Sequence, residues 1–326
     1  MTTDNAITIE EKIGQLCFVR FDENHINENI IHLVSNHHIG GVLLTNELFE
    51  KPKQVHHITD YLQRYAGVGR PLFIGIEGAE HPLTLSGMTQ PIPHNMMEQL
   101  NNRLYTKQQA ELYGKELRAV GINTIIAPNV RFDDGNPKPF VDLFRPKMQH
   151  AIAAMEGYKK AVVQSVPNVD AIIENIAASN ATNKGRIRLY VDKLLKNTSA
   201  LFLQGDSIHF KNNIALLRET FGFDGLIVAN FHSTNVTANE LIEALHDGAD
   251  AFVIHDNYEK QLTLLNELTE QAKAGAILET RLENAVHRLL ELKQSDGFGT
   301  IYPYDRDAFR QRMFAQLVET ANNLHK

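Results

Sequence analysis

The chain reads as an α/β protein, a single (β/α)8 TIM-type barrel with an extra C-terminal helical tail. Three observations predict this. About eight short apolar runs recur along 326 residues. A stretch with apolar residues at helical spacing precedes each run. No GxGxxG turn or P-loop follows the first run, where VRFDEN stands instead, and an open nucleotide-binding sheet would need such a turn. Strict alternation of helix and strand implies a parallel sheet, and eight such units close into a barrel.

The elements follow in order. IGQLCFV (13–19) is the first strand candidate. GGVLL (40–44) follows a helix that ends near HLVSNHH, and PLFIGI (71–76) follows the helical VHHITDYLQRYAG. INTIIA (122–127) follows AELYGKELRAVG, a helix stopped by Gly121. AVVQS (161–165) follows AIAAMEGYKK, and ALFLQ (200–204) follows YVDKLLKN. GLIVA (225–229) follows IALLRETFG, and DAFVI (250–254) follows ANELIEALHDGA. Two further helices, LTLLNELTEQAKAG and ETRLENAVHRLLELK, close the barrel. The segment 298–326, with RQRMFAQLVETANNL, reads as a terminal packing helix. With no linker, repeat or low-complexity stretch, 1–326 is expected to form one domain.

Composition narrows the function classes. Lys and Arg number 32 against 39 Asp and Glu, a net charge of −7. No basic stripe is visible, which argues against a nucleic-acid partner. The one cysteine, Cys17, sits in an apolar run and reads as a small buried hydrophobe rather than a reactive thiol. A single cysteine forms no intrachain disulfide, which suits a reducing compartment. The polar start MTTDNAITIEEK is not expected to be a signal peptide, and no apolar run reaches the roughly 18 residues of a membrane span. The expectation is a soluble, cytoplasmic protein with no membrane association.

A barrel of this kind builds its site at the C-terminal ends of the strands. Those ends supply Arg20 and Asp22, Thr45 and Asn46, Glu77 and Glu80, then Asn129 and Arg131. Across the ring stand Ser165, Gln204 and Asp206, Asn230 and His232, and His255 and Asp256. His81 and His94 lack a regular ligand spacing, and a zinc site needs three or four converging ligands. The expectation is neither metal nor cofactor.

Several stretches resemble glycoside hydrolase family 3, specifically its single-domain bacterial β-N-acetylglucosaminidase-like branch. EEKIGQL, HIGGVLL and PLFIGIE resemble the first three strands of that family, and ELRAVGINTIIAPN its fourth. LLRETFGFDGLIV, HDGADAFVI and RLENAVHRLLELK resemble its later units, in the same order. The resemblance implies the barrel fold and an amino-sugar or muropeptide ligand.

The family's chemical motifs are altered. Its nucleophile, the Asp of a Ser-Asp pair after GFDG, aligns with Asn230 in Ala229-Asn230. Its Asp-Gln-Glu-Gly-Gly-Arg run corresponds to Glu77-Gly78-Ala79-Glu80-His81. Its Lys-His-Phe-Pro-Gly-His-Gly segment, which grips the sugar and opens the acid/base loop, corresponds to Gln164-Ser165-Val166-Pro167-Asn168. The stretch 168–199 contains no His. Arg131 stands where an Asp is expected, and Gly205 where a His is expected.

A retaining glycosidase needs a nucleophile about 5 Å from an acid/base. An uncharged amide neither forms a glycosyl ester nor stabilises a cationic transition state. The first expectation is therefore a pseudoenzyme that binds a carbohydrate at its mouth or a protein on its surface. Glu77, Glu80, Arg131, Gln164, Ser165, Asp206, Asn230, His232 and His255 are its candidate ligand contacts. Asn230 either hydrogen-bonds a hydroxyl or ties down backbone. A second expectation is an active hydrolase with a rearranged carboxylate pair such as Glu77 and Asp206. A third is a barrel enzyme of unrelated chemistry around Asp206, His255 and Asp256.

Overall fold

A computed structural model describes residues 7–45, 48–67, 69–78, 83–88, 102–130, 140–178, 181–231, 235–304 and 307. Eight parallel strands form one sheet in the order β5-β4-β3-β2-β1-β8-β7-β6. They are β1 (Cys17–Phe21), β2 (Gly41–Leu44), β3 (Phe73–Glu77), β4 (Thr124–Ile126), β5 (Gln164–Ser165), β6 (Ala200–Gly205), β7 (Leu226–Phe231) and β8 (Ala251–Ile254). The helices are α1 (Ile9–Leu16), α2 (Glu28–Ser35), α3 (Pro52–Ala66), α4 (Arg103–Ala119), α5 (Phe140–Lys160), α6 (Asp170–Ala178), α7 (Ala181–Leu195), α8 (Ser207–Ala215), α9 (Ala238–Asp247), α10 (Tyr258–Lys273) and α11 (Glu279–Lys293). The eight expected strands are all present, and the barrel is nearly closed.

Several boundaries differ from the sequence reading; β5 shortens to Gln164–Ser165 and β7 runs on to Phe231. IGQL belongs to α1, not to the first strand. Thr8 and Glu11 form a reciprocal capping box that starts this helix at Ile9, and it runs until Cys17 turns extended. IALLRETFG is also more than a plain helix. It ends α8 and continues as a π-type turn over Leu216–Thr220. Gly121 does stop α4, at a φ of 83° that favours glycine. Most of the expected tail helix lies outside the described residues.

The side chains alternate across the barrel wall. Phe18, Phe73, Ile126, Val166, Phe202, Val228 and Val253 point inward and form one cluster. Leu289 of α11 and Phe298 join that cluster and floor the barrel. Val19, Ile74, Ile125, Leu203, Ile227 and Phe252 point outward into the larger core beneath the helices.

Closure occurs at β5 and β6. These strands share no ladder. Asn168, beyond β5, bridges Asn129 on one side and Phe202 on the other. The Phe202 N–H donates to the Pro167 carbonyl at 3.0 Å. Because β5 is only two residues long, the seam is carried by the chain that follows it.

Candidate active-site mouth

Inward alternation, continued to the C-terminal ends of the strands, defines the mouth. It brings Arg20, Glu77, Asn168, Gln204, Asn230 and His255 onto the inner wall, each an even number of residues beyond an inward core residue. Asn230 pairs in register with Gln204 on one side and Val253 on the other. It is 3% exposed. Its Oδ1 accepts a hydrogen bond from His255 Nε2. That bond assigns the ring proton to Nε2 and spends the amide oxygen on a neighbour.

The wall from β1 to β3 carries charge. Arg20 Nη1 lies 3.4 Å from Glu77 Oε1, and Arg20 Nε donates to Asp22 Oδ1 at 3.1 Å. Thr45 Oγ1 also donates to Asp22 Oδ1. Beside this pair an open groove of about 840 Å³ runs between the ends of β1 and β8, lined by Arg20, Asp22, Asn27, His255, Asp256 and Tyr258. Lys260 pairs with Asp256 at 3.1 Å. The mouth thus carries polar groups of both charge signs, with a groove at its Arg20 and His255 side. It suits a hydroxylated ligand, which takes donors and acceptors together.

Other expected contacts sit elsewhere. Asp206 caps α8, its Oδ1 accepting from the His209 N–H at 2.9 Å, and it is exposed. It rises from β6 while Glu77 ends β3, and β4 and β5 stand between them around the barrel. Ser165 points outward and donates to the Ala127 carbonyl. Gln164 lines a hollow of about 830 Å³ at the other end of the barrel, with Ser199, Leu226, Ser295 and Phe298. Sequence pattern puts both residues at a strand end. They instead make up the whole of β5, and the strand direction continues to Asn168. Glu80, Arg131, His232, Asn46, His81 and His94 lie outside the described residues.

One cluster near this end is not anticipated by the sequence reading. Asp170, at the start of α6, accepts from the Gln204 N–H through Oδ2 at 2.8 Å. Its Oδ1 faces His209 Nε2 at 3.3 Å and Asn213 Nδ2 at 3.4 Å. Burial pushes the Asp170 carboxyl above its ordinary value. An acid beside a histidine resembles a catalytic pair, but the wall separates it from the mouth. A Cβ at Gly205, an outward position, would meet the His209 ring at 2.6 Å. The imidazole therefore packs on the outer face of β6, and Asp170 replaces a backbone acceptor above the seam. An Asp just before an apolar helix was the available signal, as a helix-start residue rather than an acid.

Cys17 is fully buried, and burial pushes its thiol up to about 12. Among the described residues no three His, Cys, Asp or Glu side chains are grouped to hold a metal ion. No described helix is long and apolar enough to cross a membrane.

Residues 8–139 match the model of the glycosyl hydrolase family 3 N-terminal domain. A comparison with curated proteins finds no match. Among solved structures, the chain is similar to a glycoside hydrolase family 3 β-N-acetylglucosaminidase from Paenibacillus sp. str. FPU-7, with a TM-score of 0.77 at 21% identity over 95% of this chain and 68% of that one. It is similar to a β-N-acetylhexosaminidase from Beutenbergia cavernae DSM 12333, with a TM-score of 0.71 at 17% identity over 89% of this chain and 99% of that one. The β-N-acetylglucosaminidase from Thermotoga maritima gives 0.69 at 18% identity, over 88% and 69%. At these identities the structural likeness is one of fold. The matched sequence runs from α1 to the segment after β4, and beyond it the likeness is one of fold, an eight-stranded parallel barrel similar to those of the glycoside hydrolase family 3 structures.

Proposed function

We propose that this chain is a carbohydrate-binding pseudoenzyme, a family 3 barrel that keeps a polar mouth and has lost hydrolysis. The observation that carries the reading is the state of Asn230. By the resemblance it occupies the nucleophile's place. It is an amide, it is buried, and its oxygen is held by His255. Such a group offers no anion to attack an anomeric carbon or to stabilise positive charge there. For the second group, the stretch 168–199 where the family resemblance would place the acid/base His contains no His, and among the described residues the Asp170–His209 pair packs on the outer face of β6. General acid/base help typically contributes about 10²–10⁴-fold, so losing both groups leaves little rate.

Arg20, Glu77, Gln204, Asn230 and His255 supply donors and acceptors for sugar hydroxyls. An amino sugar or muropeptide is the ligand class, as the named activities of the similar structures suggest. Glu80, Arg131 and His232 remain proposed contacts by their place in the sequence. The buried, lone Cys17 is compatible with a reducing, cytoplasmic setting.

The test pairs binding with turnover. Calorimetric titration with N-acetylglucosamine, its β-linked dimer and a muropeptide should give heat of binding with at least one. Hydrolysis of a nitrophenyl β-N-acetylglucosaminide at high protein concentration should not exceed that of Asn230→Ala purified identically. Turnover that survives Asn230→Ala but vanishes with Glu77→Gln or Asp206→Asn overturns the proposal in favour of a rearranged carboxylate pair. Absence of both binding and turnover redirects the search to a protein partner or another chemistry.

A further inference from the structure

At the floor of the barrel, far from the mouth, lies a buried amine. Lys293 ends α11 and is 5% exposed. Its Nζ donates to Gln15 Oε1 at 2.6 Å and stands 5.6 Å from the centre of the Phe73 ring. No described carboxylate pairs with it. Buried lysines ordinarily have such a partner, because an isolated ammonium is costly to desolvate. Gln15 is itself oriented, its Nε2 donating to the His38 carbonyl at 2.6 Å.

Lys293 and Gln15 line a cavity of about 150 Å³ with Ile7, Glu11, Arg70 and Leu290. That is more than one water molecule needs, so the cavity admits a small electrophile. Arg70 brings a positive charge to the same cavity, and its Nη1 holds Glu11 at 2.7 Å. His38 Nε2 faces the same Glu11 oxygen at 3.9 Å. Burial, aided by the charge of Arg70, lowers the Lys293 ammonium to about 7. A substantial share of neutral amine is then present at neutral pH, with its lone pair available as a nucleophile.

We propose that Lys293 is a carbon dioxide site, its side-chain amine forming a carbamate in the cavity it shares with Gln15 and Arg70. The nitrogen lone pair attacks the carbon of CO2, an N–C bond forms, and one C=O π pair moves onto oxygen. The nitrogen then loses a proton to solvent. The product is a carbamate anion, with no change in oxidation state. The arrangement favours it twice over. A cation without a described anionic partner becomes an anion, and that anion shares its cavity with the Arg70 guanidinium. Among the described residues, Glu11 is the one carboxylate lining the cavity, and Arg70 already binds it. The site is independent of the mouth and does not rest on sugar binding.

The experiment is chemical trapping on the full chain. Protein equilibrated with 13C-bicarbonate at pH 7.5 is alkylated with triethyloxonium, digested and mapped by mass spectrometry. An ethoxycarbonyl group should appear on Lys293, carry the 13C label, and be absent without bicarbonate. The unalkylated protein should show a carbamate carbon by 13C NMR that Lys293→Arg lacks. Arg70→Gln keeps the lysine and avoids the risk that a Lys293 variant fails to fold. It should lower trapped occupancy about threefold or more, the size of one partly screened charge interaction. A labelled adduct confined to the N-terminus or exposed lysines, with Lys293 unmodified, overturns the proposal. So does occupancy at Lys293 that Arg70→Gln leaves unchanged.

Discussion

Asp250→Asn, which alters a single side-chain group, should be among the most destabilising conservative changes in this chain. Asp250 is fully buried and immediately precedes β8. Its Oδ2 accepts from Arg218 Nη2 at 2.6 Å and from the Ile227 N–H at 2.9 Å. Its Oδ1 accepts from Arg281 Nη2 at 2.9 Å and Arg288 Nη1 at 3.2 Å. One carboxylate thus joins β7, β8, α11 and the turn that ends α8. Burial lowers the Arg218 and Arg281 guanidiniums below their ordinary values, which marks a cluster rich in positive charge. The amide keeps one acceptor oxygen and turns the other into a donor, so two of the four donors lose their acceptor. A hydrogen bond to a charged group contributes about 1.5–3 kcal/mol. Breaking a buried ion pair from one side costs about 3–5 kcal/mol. Both routes give a loss of about 3–5 kcal/mol, against a total stability of roughly 5–15 kcal/mol. Urea unfolding followed by far-UV circular dichroism measures it. A midpoint that shifts by the equivalent of less than about 1 kcal/mol would refute the reasoning, and would mean that the backbone carbonyls around each Arg suffice. The double variant Asp250→Asn with Arg281→Met should recover part of the loss, because the second change removes one uncompensated cation.

Other outcomes are expected. Asp206→Ala should cost about 1 kcal/mol as the loss of a helix N-cap and leave sugar binding unchanged, which calorimetry and urea unfolding check together. On the proposed reading, Asn230→Asp should not restore hydrolysis of a nitrophenyl glycoside above the Asn230→Ala control, because the stretch 168–199 supplies no His to act as acid/base. His255→Ala should weaken sugar binding by unlocking the Asn230 amide, read by calorimetric titration. Stability should rise with pH between about 7, where Lys293 titrates in the folded chain, and about 10.4, its unfolded value. In that window the unfolded chain binds the extra proton, so folding is favoured as pH increases, by about 1.4 kcal/mol per pH unit from this group. Below about 7 both states are protonated and the group adds no slope. Lys293→Met should flatten the rise in urea midpoints measured from pH 7 to 9.

Local pattern alone carries the eight apolar runs, their order and the helices between them, because spacing of 2 and 3.6 residues is a local signal. It also locates Glu77, Asn230 and His255 at strand ends, since a run of core residues announces where its strand stops. The start of β1 is legible too, but only when the capping box of Thr8 and Glu11 is weighed against the apolar run that follows. The remainder depends on contacts between distant segments. AVVQS has the pattern of an ordinary strand, yet β5 pairs over two residues, so Gln164 faces the floor and Asn168 closes the wall. Asp206 reads as a spare acid and is a helix cap. Asp170 and His209 are 39 residues apart and meet only because α6 and α8 pack on the same seam. Lys293 and Gln15 lie 278 residues apart, and only barrel closure puts that amine beneath Phe73. Periodicity tells each residue which way it faces; which distant residue it faces depends on how the sheet closes, and no local pattern contains that.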